Sequence, residues 1–463
     1  MLESSICCPS GAVSIGTAVE NRAGLRKRSL SVSAAVDDRG YKGLPMPAET
    51  VDAIVLGAGF VGVSAALALQ ARGRRVALVD RHGKAAGETS FGNAGIVQTE
   101  AVMPYVFPRA PIDIARGALN LDPRAYIRYG ALPAIAPAIF RYFAASTPAG
   151  KNATARAMAP FLAATSAEHL KLAHEAGADA LLRRGGWIKA FRSARGEDMA
   201  NREAEELKPY GIAPKFLDRA ALIALEPNLS EKAIGGAHYA DPLSTPDPEA
   251  LAQSYAALFV NRGGRFETGD ALSLEPAGAG WMVTTESGRL AASDVVIALG
   301  PWTNELARRF GLRLPFFVKR GYHMHYEAKG NAGLTRPVLD LERGYLVTPM
   351  TRGLRLTTGA EFARRDDPPS PAQLDRVEPF ARELFPIGAR KEPKPWLGRR
   401  PCLPDMRPVI GPFPGKPGLW LDFGHHHLGL TLGPVSGRLL AQLMTGEAPL
   451  VDPAPFRAER FGR

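Results

Sequence analysis

Apolar residues are concentrated in short blocks between residues 51 and 80, and their spacing predicts alternating strands and helices. The apolar run at 54–56 predicts a buried strand, and a second such run occupies 76–79. Between them, residues 61–70 are mostly small and apolar and predict a helix. A strand, a helix and a second strand in this order are typical of an open α/β sheet.

Three glycines fill the turn between the first strand and the helix. Gly57, Gly59 and Gly62 match G-x-G-x-x-G, which permits a tight turn, close approach of a pyrophosphate and close packing of the helix. The helix N-terminus then offers free amides to the phosphates. Asp80, followed by Arg81, ends the second strand about 20 residues further on, where a carboxylate accepts hydrogen bonds from a ribose. The segment therefore predicts a bound dinucleotide.

Three later segments are predicted to meet the same ligand. The loop at 83–95 is rich in Gly, Ser, Thr and Asn, which suits close approach of a ligand to the backbone. An apolar strand at 295–298 leads to Gly300, at the sheet edge where ligands of α/β proteins bind. Near the C-terminus, a turn rich in Gly and His precedes a helix predicted over 435–444, whose start resembles an anion-binding helix terminus.

The middle of the chain carries two other patterns. Residues 109–182 are predominantly helical in pattern, whereas 315–362 contains strand-like runs that predict an antiparallel sheet. Alternation along the first run separates two faces: Arg320, Tyr322, Met324 and Tyr326 against Lys319, His323 and His325. One face is expected to roof a substrate pocket, and the pattern does not indicate which.

These patterns predict an α/β fold, with a Rossmann-type dinucleotide-binding domain interleaved with an antiparallel-sheet (α+β) substrate domain. The nucleotide domain is expected to comprise 49–108, 236–312 and 391–455, and the substrate domain to comprise a cap segment at 109–235 and the sheet at 313–390. Residues 1–48 lack helical or strand periodicity and are expected to be a disordered extension. A transit peptide and a wrongly assigned start codon are the alternatives.

Composition narrows the class of protein. The 463 residues carry a formal charge of +11, but the basic residues are scattered, which does not favour nucleic acid. A basic surface instead suits anionic substrates or membrane headgroups. No apolar run reaches the roughly 18 residues of a membrane span, so a cytoplasmic protein with possible peripheral contact at the inner membrane is expected. Cys7, Cys8 and Cys402 are the three cysteines, too few for a disulfide framework.

Three ordered motifs resemble the FAD-dependent D-amino-acid oxidase/dehydrogenase superfamily. They are GETSFGNAG at 87–95, WLGRRPCLPDMRPVIG at 396–411 and FGHHHLGLT at 423–431, and the resemblance covers about residues 50–455. The strand RGYHMHY at 320–326 is most similar to the branch of bacterial D-amino-acid dehydrogenases and hydroxyproline dehydrogenase-like enzymes.

The resemblance implies the cofactor FAD and a set of residues around it. The fingerprint glycines and Asp80 would hold the ADP half, while Ser90, Asn93, Ala94 and Gly95 would lie along the flavin. The resemblance also implies that Gly429, Leu430 and Thr431 present backbone amides to the flavin C2 carbonyl, where such donors stabilise the negative charge of the reduced ring.

The implied reaction is oxidation of a D-amino acid, or of a cyclic amino acid of the D-proline or hydroxyproline type, to an imine and then a 2-oxo acid. The electrons would pass to a quinone or a carrier protein, or else to oxygen; no motif decides between them, and the bacterial resemblance favours a dehydrogenase. The alternative is a flavin-binding electron-relay subunit of a hetero-oligomeric amine dehydrogenase. A nicotinamide enzyme is the main competitor at the level of the fold, and the C-terminal motif disfavours it.

Binding a substrate carboxylate requires a cation, and Arg400 is the leading candidate because arginine forms a bidentate fork with carboxylates. Arg320 and Arg399 compete for this role, and a structural ion pair is the alternative for each. Tyr322 and Tyr345 are candidates to donate hydrogen bonds to the same group or to cover the flavin.

The run His425–His427 is not expected to bind a metal, because adjacent side chains diverge and no partner with ligand spacing follows. His425 or His427 is a candidate to face the flavin and bias substrate protonation. Cys402 lies in the segment from which sarcosine-oxidase-type relatives attach flavin covalently, although the local spacing differs here. A small buried residue is its alternative role.

Overall fold

The computed structural model of the protein describes residues 48–462, so the predicted disordered extension lies almost wholly outside the described residues. The strands, in chain order, are β1 (Glu49–Leu56), β2 (Val76–Asp80), β3 (Ile96–Val97), β4 (Ala125–Ile127), β5 (Trp187–Phe191), β6 (Lys215–Asp218), β7 (Gly235–Tyr239), β8 (Leu243–Ser244), β9 (Arg265–Ala277), β10 (Gly280–Thr285), β11 (Gly288–Ile297), β12 (Phe317–Ala328), β13 (Val338–Asp340), β14 (Tyr345–Met350), β15 (Gly353–Thr357), β16 (Ala360–Phe362), β17 (Ile387–Arg390), β18 (Trp396–Cys402), β19 (Val409–Pro412) and β20 (Leu419–Phe423). The α-helices are α1 (Phe60–Gln70), α2 (Pro111–Ala118), α3 (Leu132–Ala145), α4 (Pro148–Ala163), α5 (Thr165–Glu175), α6 (Ala194–Leu207), α7 (Arg219–Leu225), α8 (Pro248–Asn261), α9 (Thr303–Arg309), α10 (Ala372–Leu384) and α11 (Gly429–Thr445).

The first sheet contains the predicted dinucleotide unit. Strand β1 pairs in parallel with β2 on one side and β11 on the other, and β11 pairs in parallel with β20. Strand β9 pairs in parallel with β2, and β10 joins β9 to β11 by antiparallel pairing. The carboxyl ends of β1, β2, β11 and β20 therefore lie at one edge, where ligands of such sheets bind. The predicted Rossmann-type unit is confirmed.

Helices α1, α8 and α11 pack against this sheet, and α5 packs against α8 and α11. Helix α1 packs closely along α11 because both carry small residues at the contact, and a Cβ at Gly437 would lie 2.6 Å from the carbonyl carbon of Ser64. Helices α4 and α5 also contact α11, so this part of the predicted cap segment covers the nucleotide layer instead of the substrate sheet.

Helix α11 begins at Gly429, earlier than the predicted start at residue 435. The sequence pattern is interrupted by Pro434, which has no N–H to donate to the carbonyl of Leu430. That carbonyl instead accepts a hydrogen bond from Nε2 of the buried His169, at 2.8 Å. A side chain from α5 thus satisfies the backbone group that proline leaves free, and the helix continues through the proline.

The second sheet is built around β12, which pairs antiparallel with β15, β16, β17 and β18. The predicted antiparallel sheet is confirmed. Tyr322, Met324 and Tyr326 pack in an apolar core with Leu374 and Val377 of α10. The opposite face of β12, which carries Lys319 and His323, is therefore the one that meets the cavity described below.

Two predicted boundaries are wrong. Strand β7 was expected in the nucleotide segment that begins at residue 236, yet it pairs with β5 and β6 in the second sheet. Strand β18 was expected in the segment 391–455, yet it pairs with β12. Strand pairing joins residues distant in the sequence, and a local apolar pattern does not reveal which sheet a strand enters.

The helices of the described part of the chain are all too short or too polar to cross a membrane.

Candidate active site

A cavity of about 920 Å³ runs between the two sheets. At one end it is lined by Gly57 and Asp80, at the carboxyl edge of the first sheet. At the other end it is lined by Lys319 and Arg400, on strands of the second sheet, and by His425. The cavity therefore joins the predicted dinucleotide site to the predicted substrate site.

The fingerprint glycines shape the first end. Gly57 has φ +103°, and a Cβ on it would lie 2.6 Å from the carbonyl oxygen of Ala298 at the end of β11. A Cβ on Gly62 would overlap the carbonyl oxygen of Gly57. A Cβ on Gly59 would lie 3.0 Å from Ser90 Oγ, which accepts a hydrogen bond from the amide of Phe60 at 3.1 Å. Side chains are thus excluded where the phosphates are predicted to approach.

Asp80 is held firmly at the end of β2. Its Oδ2 accepts a hydrogen bond from the amide of Ala58 at 2.7 Å, and its Oδ1 accepts one from His82 at 2.8 Å. A carboxylate has about four acceptor positions, so capacity for a ribose hydroxyl remains. The Arg81 guanidinium lies 4.0 Å from the centroid of the Trp302 ring and pairs with Glu88.

The loop at 87–95 contributes most of its predicted residues to the cavity. Ser90, Asn93 and Ala94 line it, as does Gly300, whose φ is +53°. Gly95 does not line it: a Cβ there would lie 2.5 Å from the carbonyl oxygen of Thr245, so this glycine serves the packing of the loop. The Asn93 Oδ1 accepts a hydrogen bond from the amide of Gly95 at 2.9 Å and fixes the turn.

The N-terminus of α11 meets the middle of the cavity. Gly429 and Leu430 line it, and first-turn amides have no partner inside their helix. The positive end of the helix dipole adds to these donors. Thr431 Oγ1 instead accepts a hydrogen bond from the amide of Gln98 at 3.1 Å and lies 3.2 Å from the carbonyl oxygen of Ile96. Thr431 thus ties α11 to the segment that follows the loop at 87–95.

Lys319 and Arg400 form a pair of cations at the far end. They are directly opposite in the pairing of β12 with β18, and Lys319 is buried. Lys319 Nζ donates to Tyr142 Oη at 2.9 Å, and the Arg400 guanidinium donates to the carbonyl oxygens of Gly359 and Thr358 at 2.9 and 3.2 Å. Neither cation has a carboxylate partner among residues 48–462. Burial, with Arg400 nearby, lowers the pKa of Lys319 to about 8.

Two other residues that were predicted to bind the substrate form hydrogen bonds and an ion pair within the protein instead. Arg320 is fully buried and pairs with Glu361 at 2.8 Å, and Tyr322 Oη donates to the same carboxylate at 2.8 Å. The backbone of β12 at Tyr322 borders the cavity, but its hydroxyl lies in this structural network. Arg320 therefore forms the structural ion pair that was the alternative to a role in substrate binding.

Two further candidates lie away from the cavity lining. Tyr345 Oη donates to the carbonyl oxygen of Phe380 at 3.0 Å and accepts from Arg192, so Tyr345 belongs to the core. Arg399 donates through Nε to the carbonyl oxygen of Arg365 at 3.1 Å. Among the predicted carboxylate-binding arginines, Arg400 is the one that the fold places at the cavity.

The histidine turn lies beside the N-terminus of α11. His425 Nε2 is 3.4 Å from Asp422 Oδ1, and neither atom has a hydrogen-bond partner in the described chain. Burial raises the pKa of Asp422 well above its usual value and lowers the pKa of His425 to about 3. Both groups are therefore held in their neutral forms. The ring of His427 packs 5.1 Å from the ring of Tyr105.

Cys402 lies at the end of β18, lines the cavity and is a free thiol. Burial raises the pKa of this thiol. Attack on a flavin requires the thiolate, which this environment disfavours.

Sequence reasoning left several cavity residues without a role. Strand alternation placed Lys319 on one face of β12, but only the pairing of β12 with β18 shows that Lys319 lies opposite Arg400. Glu100 and Lys189 also line the cavity, and no local motif marks either residue.

The chain belongs to the family described as DAO, FAD dependent oxidoreductase, whose model matches residues 52–443. A D-amino acid dehydrogenase of Cereibacter sphaeroides is 32% identical over 437 residues, covering 88% of this chain and 95% of that protein. A D-amino-acid oxidase of Bradyrhizobium diazoefficiens is 30% identical over 416 residues, covering 88% and 98%.

Solved structures share the fold. Glycine oxidase from Geobacillus kaustophilus has a TM-score of 0.67 at 22% identity, covering 89% of this chain and 99% of that one. L-proline dehydrogenase from P. horikoshii has a TM-score of 0.68 at 16% identity, covering 90% and 98%. At these identities the likeness confirms the predicted fold and carries no statement on substrate.

FAD is the cofactor of this family, and the enzyme is an oxidoreductase of the amino-acid oxidase and dehydrogenase class. The residues present fit FAD, because side chains are excluded at Gly57 and Gly62 and free amides meet the cavity at Gly429 and Leu430. When bound, FAD supplies the acceptor for the hydride that leaves the substrate.

Proposed function

We propose that this enzyme oxidises a D-amino acid, or a cyclic amino acid of the D-proline or hydroxyproline type, to an imine that hydrolyses to a 2-oxo acid or cyclises. The observation that carries the proposal is the pair Lys319 and Arg400 at the end of the cavity opposite the dinucleotide fingerprint. The two cations face each other, and neither has a carboxylate partner in the described chain. They would therefore bind an anion that comes from outside the protein.

Without a bound anion, the opposed cations Lys319 and Arg400 cost the protein free energy. Like charges directly opposite on paired strands are destabilising, and burying an ammonium costs free energy unless an opposite charge accompanies it. A substrate carboxylate would supply that charge and accept hydrogen bonds from both side chains. Lys319, with a pKa of about 8, is mostly protonated near neutral pH and can serve as a donor there.

The surrounding residues would orient the rest of the substrate. The rings of His323 on β12 and Trp396 on β18 are stacked with centroids 4.7 Å apart, and both residues line the cavity, so they would form an aromatic wall beside the substrate. The neutral pair Asp422 and His425 places no net charge near the N-terminus of α11. Lys319 and Arg400 line the same cavity, and their positive charges favour the neutral amine of the substrate, the form from which oxidation proceeds.

The names of the relatives support a substrate of D chirality. Proteins named D-amino acid dehydrogenase and D-amino-acid oxidase both match nearly their full length to this chain. We propose transfer of the electrons to a quinone or a carrier protein, consistent with the dehydrogenases among these relatives. Such an acceptor would bring the enzyme into peripheral contact with a membrane.

The test is an anaerobic titration of the purified flavoprotein with matched D- and L-amino acids, including both prolines and the hydroxyproline isomers. Bleaching of the oxidised flavin band by D-enantiomers, with little effect of L-enantiomers, is the expected result. Bound flavin that no amino acid reduces would contradict the proposal and favour an electron-relay subunit. Adding a quinone analogue or oxygen to the reduced protein then identifies the acceptor through the rate of reoxidation.

A further inference from the structure

A second set of polar residues, the polar recess, lines the cavity in addition to the cations of β12 and β18. It comprises Glu100, which follows β3, Trp187 and Lys189 of β5, and Glu203 of α6. Trp187 and Lys189 are buried, and Glu100 is only 4% exposed. Charged groups in such a recess require partners.

Glu100 is incompletely partnered. Its Oε1 accepts a hydrogen bond from Gln98 Nε2 at 3.1 Å, whereas its Oε2 is buried and has no hydrogen-bond partner among the described residues. A buried carboxylate oxygen without a donor is unfavourable, since it has lost its hydration and gained nothing in exchange. A donor arriving with a ligand would remove this cost.

The nearby cation, Lys189, forms its ion pair with Glu203 and not with Glu100. Lys189 Nζ forms an ion pair with Glu203 and lies 5.0 and 4.8 Å from the ring centroids of Trp187 and Tyr239. Glu100 and Glu203 together carry two negative charges against the single positive charge of Lys189. The recess therefore keeps one uncompensated negative charge, which lies on Glu100.

The recess is close to the reaction centre. Gln98, whose side chain donates to Glu100, is tied through its amide to Thr431 in the first turn of α11. Tyr105 also lines the cavity, and its ring contacts His427 of the turn before α11. A small molecule held by its carboxylate at Arg400 can thus direct its side chain toward Glu100 within the same cavity.

We infer that Glu100 determines substrate specificity by accepting a hydrogen bond from a donor group, a hydroxyl or an ammonium, on the side chain or ring of the substrate. The inference rests on the proposed function and adds to it that the side chain or ring of the substrate carries a hydrogen-bond donor. An aliphatic side chain of equal length would leave Oε2 without a partner. Discrimination of this kind is strong, because a site built to bind a polar group rejects the analogue that lacks it.

The test compares matched D-substrates in anaerobic flavin reduction: D-ornithine with D-norvaline, D-lysine with D-norleucine, and hydroxylated with plain D-proline. The ratio of reduction rate constant to dissociation constant is measured for each pair. We expect the wild-type enzyme to prefer the member with the donor by at least about tenfold in one class of pair, as for a hydrogen bond to a charged group.

Two variants of Glu100 distinguish whether the substrate donor is a hydroxyl or an ammonium. Glu100→Met removes the acceptor, so the preference should fall to about one for either class. Glu100→Gln keeps an acceptor but removes the charge, so a preference for an ammonium should be lost while one for a hydroxyl should largely persist. The flavin content and the flavin absorbance spectrum of both variants should match those of the wild type, which shows that the fold and the flavin site are intact. Glu447→Gln changes an exposed carboxylate that follows the C-terminal end of α11 and is the matched control.

The outcomes distinguish the two proposals. Reduction by no D-amino acid would remove the proposed function and this inference together. Reduction by aliphatic and donor-bearing substrates at equal efficiency, unchanged in Glu100→Gln, would overturn the inference and leave the proposed function standing.

Discussion

Lys319 and Arg400 lie directly opposite each other on β12 and β18, two like charges at the end of the cavity without a carboxylate partner in the described chain. Such an opposition is unfavourable for the sheet alone. It becomes favourable when an anion lies between the two side chains. The pair is therefore the feature that most directly connects the fold to the proposed reaction.

Replacing Arg400 with Met should lower kcat/KM for the amino acid by roughly 100-fold. The replacement removes the partner of the substrate carboxylate, and truncating one partner of a buried charge pair costs about 2–5 kcal/mol. Most of the change should appear in substrate binding, measured by the dissociation constant from anaerobic flavin reduction. Arg399→Met is the control, since Arg399 lies outside the cavity lining and contacts Arg365. Equal losses in the two variants would contradict a direct role of Arg400.

Substrate binding should weaken as the pH rises through about 8. The pKa of Lys319 is lowered to about 8, chiefly by burial, so the ammonium loses its proton in this range and one donor to the carboxylate is lost. The pH profile of kcat/KM measures this effect. In Lys319→Arg the limb near pH 8 should disappear, because arginine stays charged. A limb that persists in that variant belongs to the substrate amine or to another residue.

Glu100→Gln should stabilise the substrate-free holoenzyme at pH 8. Burial raises the pKa of Glu100 to about 6 from 4.5, although Lys189 partly opposes this. Folding with this carboxylate ionised is unfavourable, so stability increases as the pH falls from above 6 toward 4.5. The gain from the variant should reach about 2 kcal/mol at pH 8 and vanish near pH 4.5.

Thermal unfolding of both proteins across this range measures the difference. A variant less stable than the wild type at pH 8 would show that Glu100 stabilises the fold and would argue against a ligand-binding role.

Gly62→Ala should abolish or strongly weaken FAD binding, because the added Cβ would overlap the carbonyl oxygen of Gly57 and distort the turn. The ratio of flavin to protein absorbance after purification is the measurement. Gly333→Ala is the control, since a Cβ there meets no atom within 4 Å. Full flavin content in Gly62→Ala would contradict the assignment of this turn to the cofactor.

The sequence predicted the parts of the site that are contiguous along the chain. The fingerprint from Gly57 to Asp80 is local, and each of its glycines has a steric reason that a pattern can express. Tyr345 was a candidate to contact the substrate or the flavin but lies in the core, because a tyrosine in a strand-like segment does not reveal what covers its side chain.

The remaining site depends on contacts between distant residues. Lys319 meets Arg400 only through the register of β12 with β18, and Glu100 and Lys189, which are far apart in the sequence, line one cavity only because the chain folds there. No periodicity in a single segment encodes such a pairing. The start of α11 was missed for a similar reason, since His169 supplies the hydrogen bond that Pro434 prevents.

The most direct test of the central claim is a structure of the FAD-loaded enzyme, reduced and kept anaerobic, with a D-amino acid bound. The account predicts that the substrate carboxylate contacts both Lys319 Nζ and the Arg400 guanidinium, with the side chain directed toward Glu100. A carboxylate bound elsewhere, with Lys319 and Arg400 contacting only protein atoms, would contradict it.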